Sequence, residues 1–421
     1  MSGDGPELSR RALLAGTTGI GLAATGVGGV VLGRHISEPA SSVEPGASTG
    51  KSVPFHGAYQ AGITTPVSAA GVVIALDLTV TGRARLIDVL RGLTDGARGL
   101  VEGQLLGGGQ SLGSAPGGSG ILGPRPMADG LTITLSVGAS LFDNRFGLSD
   151  RRLRQLTLMH RFPNDQLDAR RCHGDLLLVV AAAHTDTVLY AARYLLRSFA
   201  DSISPRWMQH GFLRPDAHPR RGRTEVRNLL GFKDGSANPD TTDAEVMDEL
   251  VWVQPGDGEP AWAVGGSYQV VRIIRMFVER WDSATTAEQE GMIGRDKATG
   301  APVGGEDESE EPDYESDPHG VRVPLTSHIR RANPRTTNAM GHRILRRGLS
   351  YSNSLDDDAQ LDEGLLFICY QRDLDQGFTT IQARLNGEPL EKFVRPVGGG
   401  YFFALPGVRD GGRFLGDLLV A

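Results

Sequence analysis

Leu176–Leu196 reads LLLVVAAAHTDTVLYAARYLL, and Leu365–Leu385 reads LLFICYQRDLDQGFTTIQARL. Each opens with an apolar run of strand length, breaks at a polar step carrying an aspartate, and resumes with apolar residues at helical spacing. A run apolar at every position has both faces covered, so it belongs inside a sheet and not at a solvated edge. The two stretches stand in opposite halves of the 421-residue chain. One strand-helix plan is therefore used twice.

Working outward, Gly71–Val80 (GVVIALDLTV) is β-branched and apolar, and Gly82–Leu100 has helical spacing through Leu86, Val89, Leu90 and Leu93. Leu131–Phe142 reads as strand, Asp175–Ala183 as a buried strand and Asp186–Phe199 as an amphipathic helix. The second half reads as strand at Tyr268–Val278, helix at Ala284–Ile293, strand at Leu365–Gln371, helix at Leu374–Leu385 and a closing strand at Tyr401–Leu405. This order predicts an α+β fold of two ferredoxin-like halves, each an antiparallel sheet with helices on one face. The expected divisions are 1–52 for a leader and tether, 53–220 for the first half and 221–421 for the second. The acidic, proline-containing insert Gly304–Asp317 reads as a solvated loop.

Arg10 and Arg11 precede Leu13, Leu14 and a weakly apolar, uncharged run to Leu32. This is the pattern of a twin-arginine export signal, which places the protein outside the cytoplasm, in the cell envelope or beyond. A membrane anchor is the alternative, since the run is long enough to span; the glycines between Gly16 and Gly33 lower its apolarity and helicity. His35–Ser52 is rich in Ser, Pro and Gly, the composition of a tether.

With 43 basic and 50 acidic residues the net charge is -7, so no overall positive field exists to attract nucleic acid. Cys172 and Cys369 each adjoin or lie in an apolar run and read as buried free thiols, with a single disulfide across the fold as the alternative; no cysteine pair has zinc-ligand spacing. The glycine-rich segment Gly107–Gly123 is followed by Pro124 and Pro126, not by the helix with Lys and Ser or Thr that a phosphate loop requires.

Two polar segments remain. GFKDGSANPD (Gly231–Asp240) brackets Asp234 with glycines, and SHIRRANPRTTNAMGHRILRRGLSY (Ser327–Tyr351) joins a histidine, an Asn-Pro turn and the pair Arg346-Arg347. Taken alone, Asp234 is a turn aspartate before Gly235 and His328 one histidine among ten.

In context they say more. FHGAYQAGITTP at Phe55, HRFPNDQLDARRCHGD at His160, NLLGFKDGSANPD at Asn228, GGSYQVVRIIRMFVERWD at Gly265, HIRRANPR at His328, LRRGLSYS at Leu345 and GGGYFFALPG at Gly398 together resemble the dye-decolorising (DyP-type) haem peroxidases, especially their exported subgroup linked to bacterial iron uptake. The resemblance runs from about Phe55 to the C-terminus. It implies paired ferredoxin-like halves of the dimeric α/β-barrel type, with haem b (iron protoporphyrin IX) in the C-terminal half.

The resemblance also implies a peroxidase that reduces hydrogen peroxide while oxidising dyes, phenolics or other organic reductants. His328 falls on the axial ligand, Asp234 on the distal acid-base residue and Arg346 on the distal arginine. Further haem contacts fall on Gly235, Ser236, Ala237, Asn333, Pro334 and Arg335, with Arg335 able to pair with a propionate. An axial imidazole needs an acceptor on its other nitrogen, and Glu391 is the expected one. Partner proteins of iron uptake or of copper electron transfer follow from the same resemblance. So does the alternative of a haem-binding deferrochelatase that releases iron from haem, with peroxidase activity incidental. A cofactor-free scaffold is the third reading, and it predicts a colourless protein.

Overall fold

The computed structural model describes residues 52–104, 120–123, 128–214, 226–356 and 358–421. The expected leader and most of its tether, the centre of the glycine-rich loop and the expected boundary at 220/221 lie outside the described residues. Strands β1 (Ala70–Leu78), β2 (Thr132–Gly138), β3 (Leu176–Ala182) and β4 (Ile203–Phe212) form the first half, with helix α1 (Arg83–Val101) after β1 and α2 (Thr185–Ser198) after β3. Their order is β4-β1-β3-β2, with every neighbouring pair antiparallel.

The second half repeats it. Strands β5 (Ser267–Met276), β6 (Leu349–Leu355), β7 (Leu361–Gln371) and β8 (Val394–Ala404) lie in the order β8-β5-β7-β6. Helices α3 (Thr286–Ile293) and α4 (His328–Ala332) fall between β5 and β6, and α5 (Thr380–Leu385) between β7 and β8. The halves join edge to edge: Phe402 of β8 pairs with Gly138 of β2, and Phe212 of β4 with Ser350 of β6. The sheet thus closes on itself, which leaves no long edge open for pairing with another chain.

Closure explains why β1, β3 and the Leu365–Tyr370 stretch of β7 are apolar at nearly every position. Val73, Ala75, Leu177, Val271, Ile273, Leu366, Ile368 and Phe402 meet inside the ring with Trp207 and Tyr370. The alternate residues Val72, Ile74, Leu76, Ile133 and Leu178 pack outward against Leu86, Val89, Leu90 and Leu93 of α1 and Val188, Ala191 and Leu195 of α2. Burying each such side chain contributes about 1.5–3 kcal/mol, and a one-residue slip would exchange the two faces, so register is firmly set.

Several expected elements have different limits: the closing strand expected from Tyr401 begins at Val394, the strand expected from Leu365 begins at Leu361, and the helix expected from Leu374 opens with a π-helical turn, Asp375–Thr379, before α5. The strand expected to reach Phe142 ends at Gly138, and Ala139–Phe142 is a single 3-10 turn. The helix expected from Ala284 starts at Thr286, because Thr285 caps it: the Thr285 hydroxyl accepts from the Glu288 amide while the Glu288 carboxylate accepts from the Thr285 amide.

The first half also grips the start of β8. The amides of Gln166, Asp168 and His173 donate to the carbonyls of Pro396, Val397 and Gly399, each at 2.9 Å. The ladder between β8 and β5 shifts register between Pro396 and Gly398. Gly399 has φ +120°, and a Cβ there would lie 2.0 Å from the Val271 carbonyl oxygen. Only glycine allows so close an approach.

Candidate active site

On the outer face of the first half the helices cover the sheet. On the second half they do not cover it fully. Ile274 of β5 and Leu365 and Phe367 of β7 point the same way as the packed residues of the first half, yet are only half-buried, and with Phe378, Ile381 and Leu385 they wall a cavity. Asn164 and Asp165 of the first half close one side. Asp165 forms a wholly buried ion pair with Arg272 of β5, their side chains 0% and 1% exposed, so the cavity wall ties the two halves together.

His328 is the first residue of α4 and lines this cavity. The short helix is held by its arginines: Arg331 donates to the carbonyls of Arg384 and Asn386 at 2.7 and 2.6 Å, and Arg330 to the Val323 carbonyl at 2.9 Å. His328 Nδ1 lies 2.9 and 3.1 Å from the two carboxylate oxygens of Glu388, whose side chain is 6% exposed. A proton on Nδ1 shared with Glu388 leaves the Nε2 lone pair free for a metal. Burial pushes the imidazole pKa down, but the charge and hydrogen bond of Glu388 outweigh it, and the net direction is up.

The acceptor is therefore Glu388 and not the expected Glu391. Glu391 folds back on its own loop, where Oε1 accepts from the Gly387 amide at 2.9 Å. Pro389 is the signal that separates the two glutamates: a residue before proline is held extended, as Glu388 is at φ -71°, ψ 153°, and so projects away from the turn that follows.

Asp234 sits in the two-residue strand Lys233–Asp234, and Arg346 in Leu345–Arg346, which pairs with Cys369 and Tyr370 of β7. The Arg346 Nη1 donates to Asp234 Oδ1 at 2.7 Å. Asp234 Oδ2 has no hydrogen-bond partner among the described residues. The side-chain amide of Asn238 clamps the Arg346 main chain, donating to its carbonyl at 2.9 Å and accepting from its amide at 3.1 Å. Arg346 and Asp234 both bear electrostatically on His328. Arg347 turns elsewhere and donates to the Thr65 carbonyl; burial pushes its pKa down to about 10.

Gly235, Ser236, Ala237, Asn333 and Arg335 also line the cavity, whereas Pro334 does not. Pro334 belongs to the turn between them, in which the Arg335 amide donates to Asn333 Oδ1 at 3.0 Å and Arg335 takes φ 57°. Arg335 pairs with the exposed Glu311 at 2.8 Å.

The insert expected to be a solvated loop is instead partly built into the site. Glu308 accepts from Lys233 at 2.9 Å and Ser236 at 2.7 Å, Asp317 is buried against Arg330, and Tyr314 lines the cavity. The Tyr314 hydroxyl is buried with no hydrogen-bond partner among the described residues, and burial raises its pKa to about 12 against the pull of Arg335, Arg295 and Arg330. Sequence reasoning missed Asn164, Asp165, Arg272, Tyr314 and Glu388. Asn164 and Asp165 stood within a quoted motif, but nothing in their spacing ties them to a cavity in the other half.

Comparison with known proteins identifies the family. The family described as Dyp-type peroxidase, N-terminal matches residues 60–213, and Dyp-type peroxidase, C-terminal matches 225–409. Deferrochelatase of Escherichia coli strain K12 is 47% identical over 414 residues, 98% of this chain and 97% of that protein. The chain belongs to the Dyp-type peroxidase family. Among solved structures, this Dyp-type peroxidase resembles the DyP-type peroxidase of Cellulomonas bogoriensis at 34% identity and TM-score 0.77, over 88% of this chain and 98% of that one. It resembles ferric DtpA of Streptomyces lividans at 34% identity and TM-score 0.78, over 88% and 97%.

Dyp-type peroxidases are haem enzymes, and the cavity fits a haem. It offers an apolar wall for the macrocycle, an imidazole whose Nδ1 is already anchored, and at its polar side an orphaned tyrosine hydroxyl and arginines suited to carboxylates. Among the described residues no cluster of His, Cys, Asp and Glu forms another metal site, and no helix is long and apolar enough to cross a membrane. Cys172 and Cys369 are buried free thiols, as the sequence suggests.

Proposed function

We propose that this Dyp-type peroxidase holds haem b through His328, with Asp234 and Arg346 acting on peroxide. The single observation that supports this most is that one cavity receives both the Glu388-anchored imidazole and the Asp234–Arg346 pair. When bound, the haem supplies the electrons that reduce peroxide and later recovers them from an organic reductant. Asp234 has Oδ1 committed to Arg346, which leaves Oδ2 to take a proton from one peroxide oxygen and return it to the other, so that the second oxygen leaves as water. Arg346 keeps its charge throughout, so it orients the peroxide and stabilises negative charge on the departing oxygen. Gly235, Ser236 and Ala237 admit the ring edge, and Arg335, beyond the Asn333-Pro334 turn, faces a propionate once Glu311 gives way.

The test is peroxide-dependent turnover of a reducing dye by the purified holoprotein and by Arg346→Leu. The proposal fails if the variant keeps the parental rate. A second reading, haem binding with release of iron, is favoured by the near full-length similarity to deferrochelatase. It predicts metal-free porphyrin accumulating from added haem without peroxide, and little dye turnover. Arg10-Arg11 supports export by the twin-arginine route, placing both chemistries outside the cytoplasm, with partner proteins there as the source of electrons or the acceptor of iron.

A further inference from the structure

The cations around the cavity are almost all committed. Arg346 is held by Asp234, Arg335 by Glu311, Arg272 by Asp165 and Lys233 by Glu308, while Arg295 donates to the carbonyls of Gly300 and Glu308. Arg343 is the exception. Its Nε donates to the Met340 carbonyl at 3.1 Å, and among the described residues its two terminal nitrogens have neither a hydrogen bond nor a carboxylate within ion-pair reach.

Its position is equally distinctive. Arg343 lines the haem cavity and also two polar clefts beside it, one bounded by Gln155, Asp257 and Asp373, the other by Asn238, Glu308 and Asn333. It thus stands where the apolar chamber adjoins clefts lined by polar and charged side chains. A porphyrin bearing two carboxylates has the same division, an apolar body and a charged edge. Its edge belongs at such a junction, where each carboxylate keeps water on one side and gains a cation on the other. A guanidinium with its terminal fork unclaimed matches a carboxylate in geometry as well as charge.

We infer that Arg343 receives a propionate carboxylate of the bound haem and sets how long the haem is retained. The inference rests on the haem reading above. It goes beyond that reading by assigning the anchor to Arg343, which lies between the HIRRANPR and LRRGLSYS motifs and has no role in it.

The experiment compares haem transfer to excess apomyoglobin from the parent holoprotein, Arg343→Gln, Arg343→Lys and His328→Ala, each reconstituted with haem or with its dimethyl ester. A charged hydrogen bond of this kind corresponds to roughly a ten- to hundredfold faster loss of haem in Arg343→Gln, with partial recovery in Arg343→Lys. With the dimethyl ester, which presents no carboxylate, parent and Arg343 variants should lose cofactor at one rate. If Arg343→Gln retains natural haem as the parent does, the inference is overturned while the haem reading stands. An equal acceleration with haem and ester also overturns it, since that is loosening of the fold. A parent that takes up no haem, or a His328→Ala that holds it unchanged, overturns the underlying reading instead. If Arg343→Gln does not fold, the comparison of haem and ester in Arg343→Lys decides in the same way.

Discussion

Glu388→Gln keeps the shape of the residue behind His328 and removes its charge. Both carboxylate oxygens lie within 3.1 Å of Nδ1, and the side chain is 6% exposed, so water cannot substitute for the lost interaction. A buried charged hydrogen bond contributes about 1.5–3 kcal/mol, and loss of such an orienting partner typically costs about 10- to 100-fold in metal affinity. Haem transfer from Glu388→Gln to apomyoglobin should therefore be about ten- to a hundredfold faster than from the parent. The less basic imidazole should also raise the haem reduction potential, measurable by spectroelectrochemistry. Glu391→Gln, which disturbs only the contact with Gly387, should change neither. The reasoning fails if Glu388→Gln matches the parent in both measurements, and most plainly if Glu391→Gln is the variant that shifts.

Further outcomes are expected. Arg346→Leu should slow the stopped-flow reaction with peroxide by about 100- to 1000-fold, at least as much as Asp234→Asn, because a water can replace part of a proton shuttle but not a fixed cation; a parental rate in Arg346→Leu with a dead Asp234→Asn would reverse the division of roles. Asp175 is buried and accepts from the Leu78 amide, Ser140 and both terminal nitrogens of Arg145; burial opposes its ionisation, yet these donors hold its pKa below the usual carboxylate range. Its contribution is thus present above about pH 4, the unfolded value, and fades as pH falls through the folded one. Asp175→Asn should cost about 3–5 kcal/mol in denaturant unfolding at pH 7 and progressively less in acid, and a pH-independent deficit would contradict this. Replacing Arg10-Arg11 by Lys-Lys should leave folded protein inside the cell, and unchanged export would remove that reading.

The fold was legible where burial is two-sided. β3 and the Leu365–Tyr370 stretch of β7 are apolar at every position because the ring interior covers one face and helices or the cavity the other, and that made their echo visible. β4 (ISPRWMQHGF) and β6 (LSYSNSL) were not legible. They meet at one of the two seams, are partly exposed and polar, and gain from closure of the ring a structure that their own sequence does not announce. The site divides in the same way. Asp234, His328 and Arg346 stand in motifs that can be read along the chain, and the structure brings all three to one cavity. Glu388 is 60 residues from His328, and the choice between it and Glu391 turned on the direction imposed by Pro389. The burial of Asp317 and the inward pairing of Glu308 in an acidic insert were equally hidden, since an acidic run pairs inward only if arginines and lysines from elsewhere await it.

The central claim is that His328 bonds the haem iron in a cavity equipped for peroxide. The visible spectrum of purified parent and His328→Ala, recorded before and after one equivalent of hydrogen peroxide, tests it most directly. The parent should show a ferric haem band that changes at once with peroxide, whereas His328→Ala should lose its haem or show a shifted band that no longer responds. An unaltered spectrum and response in His328→Ala would contradict the account.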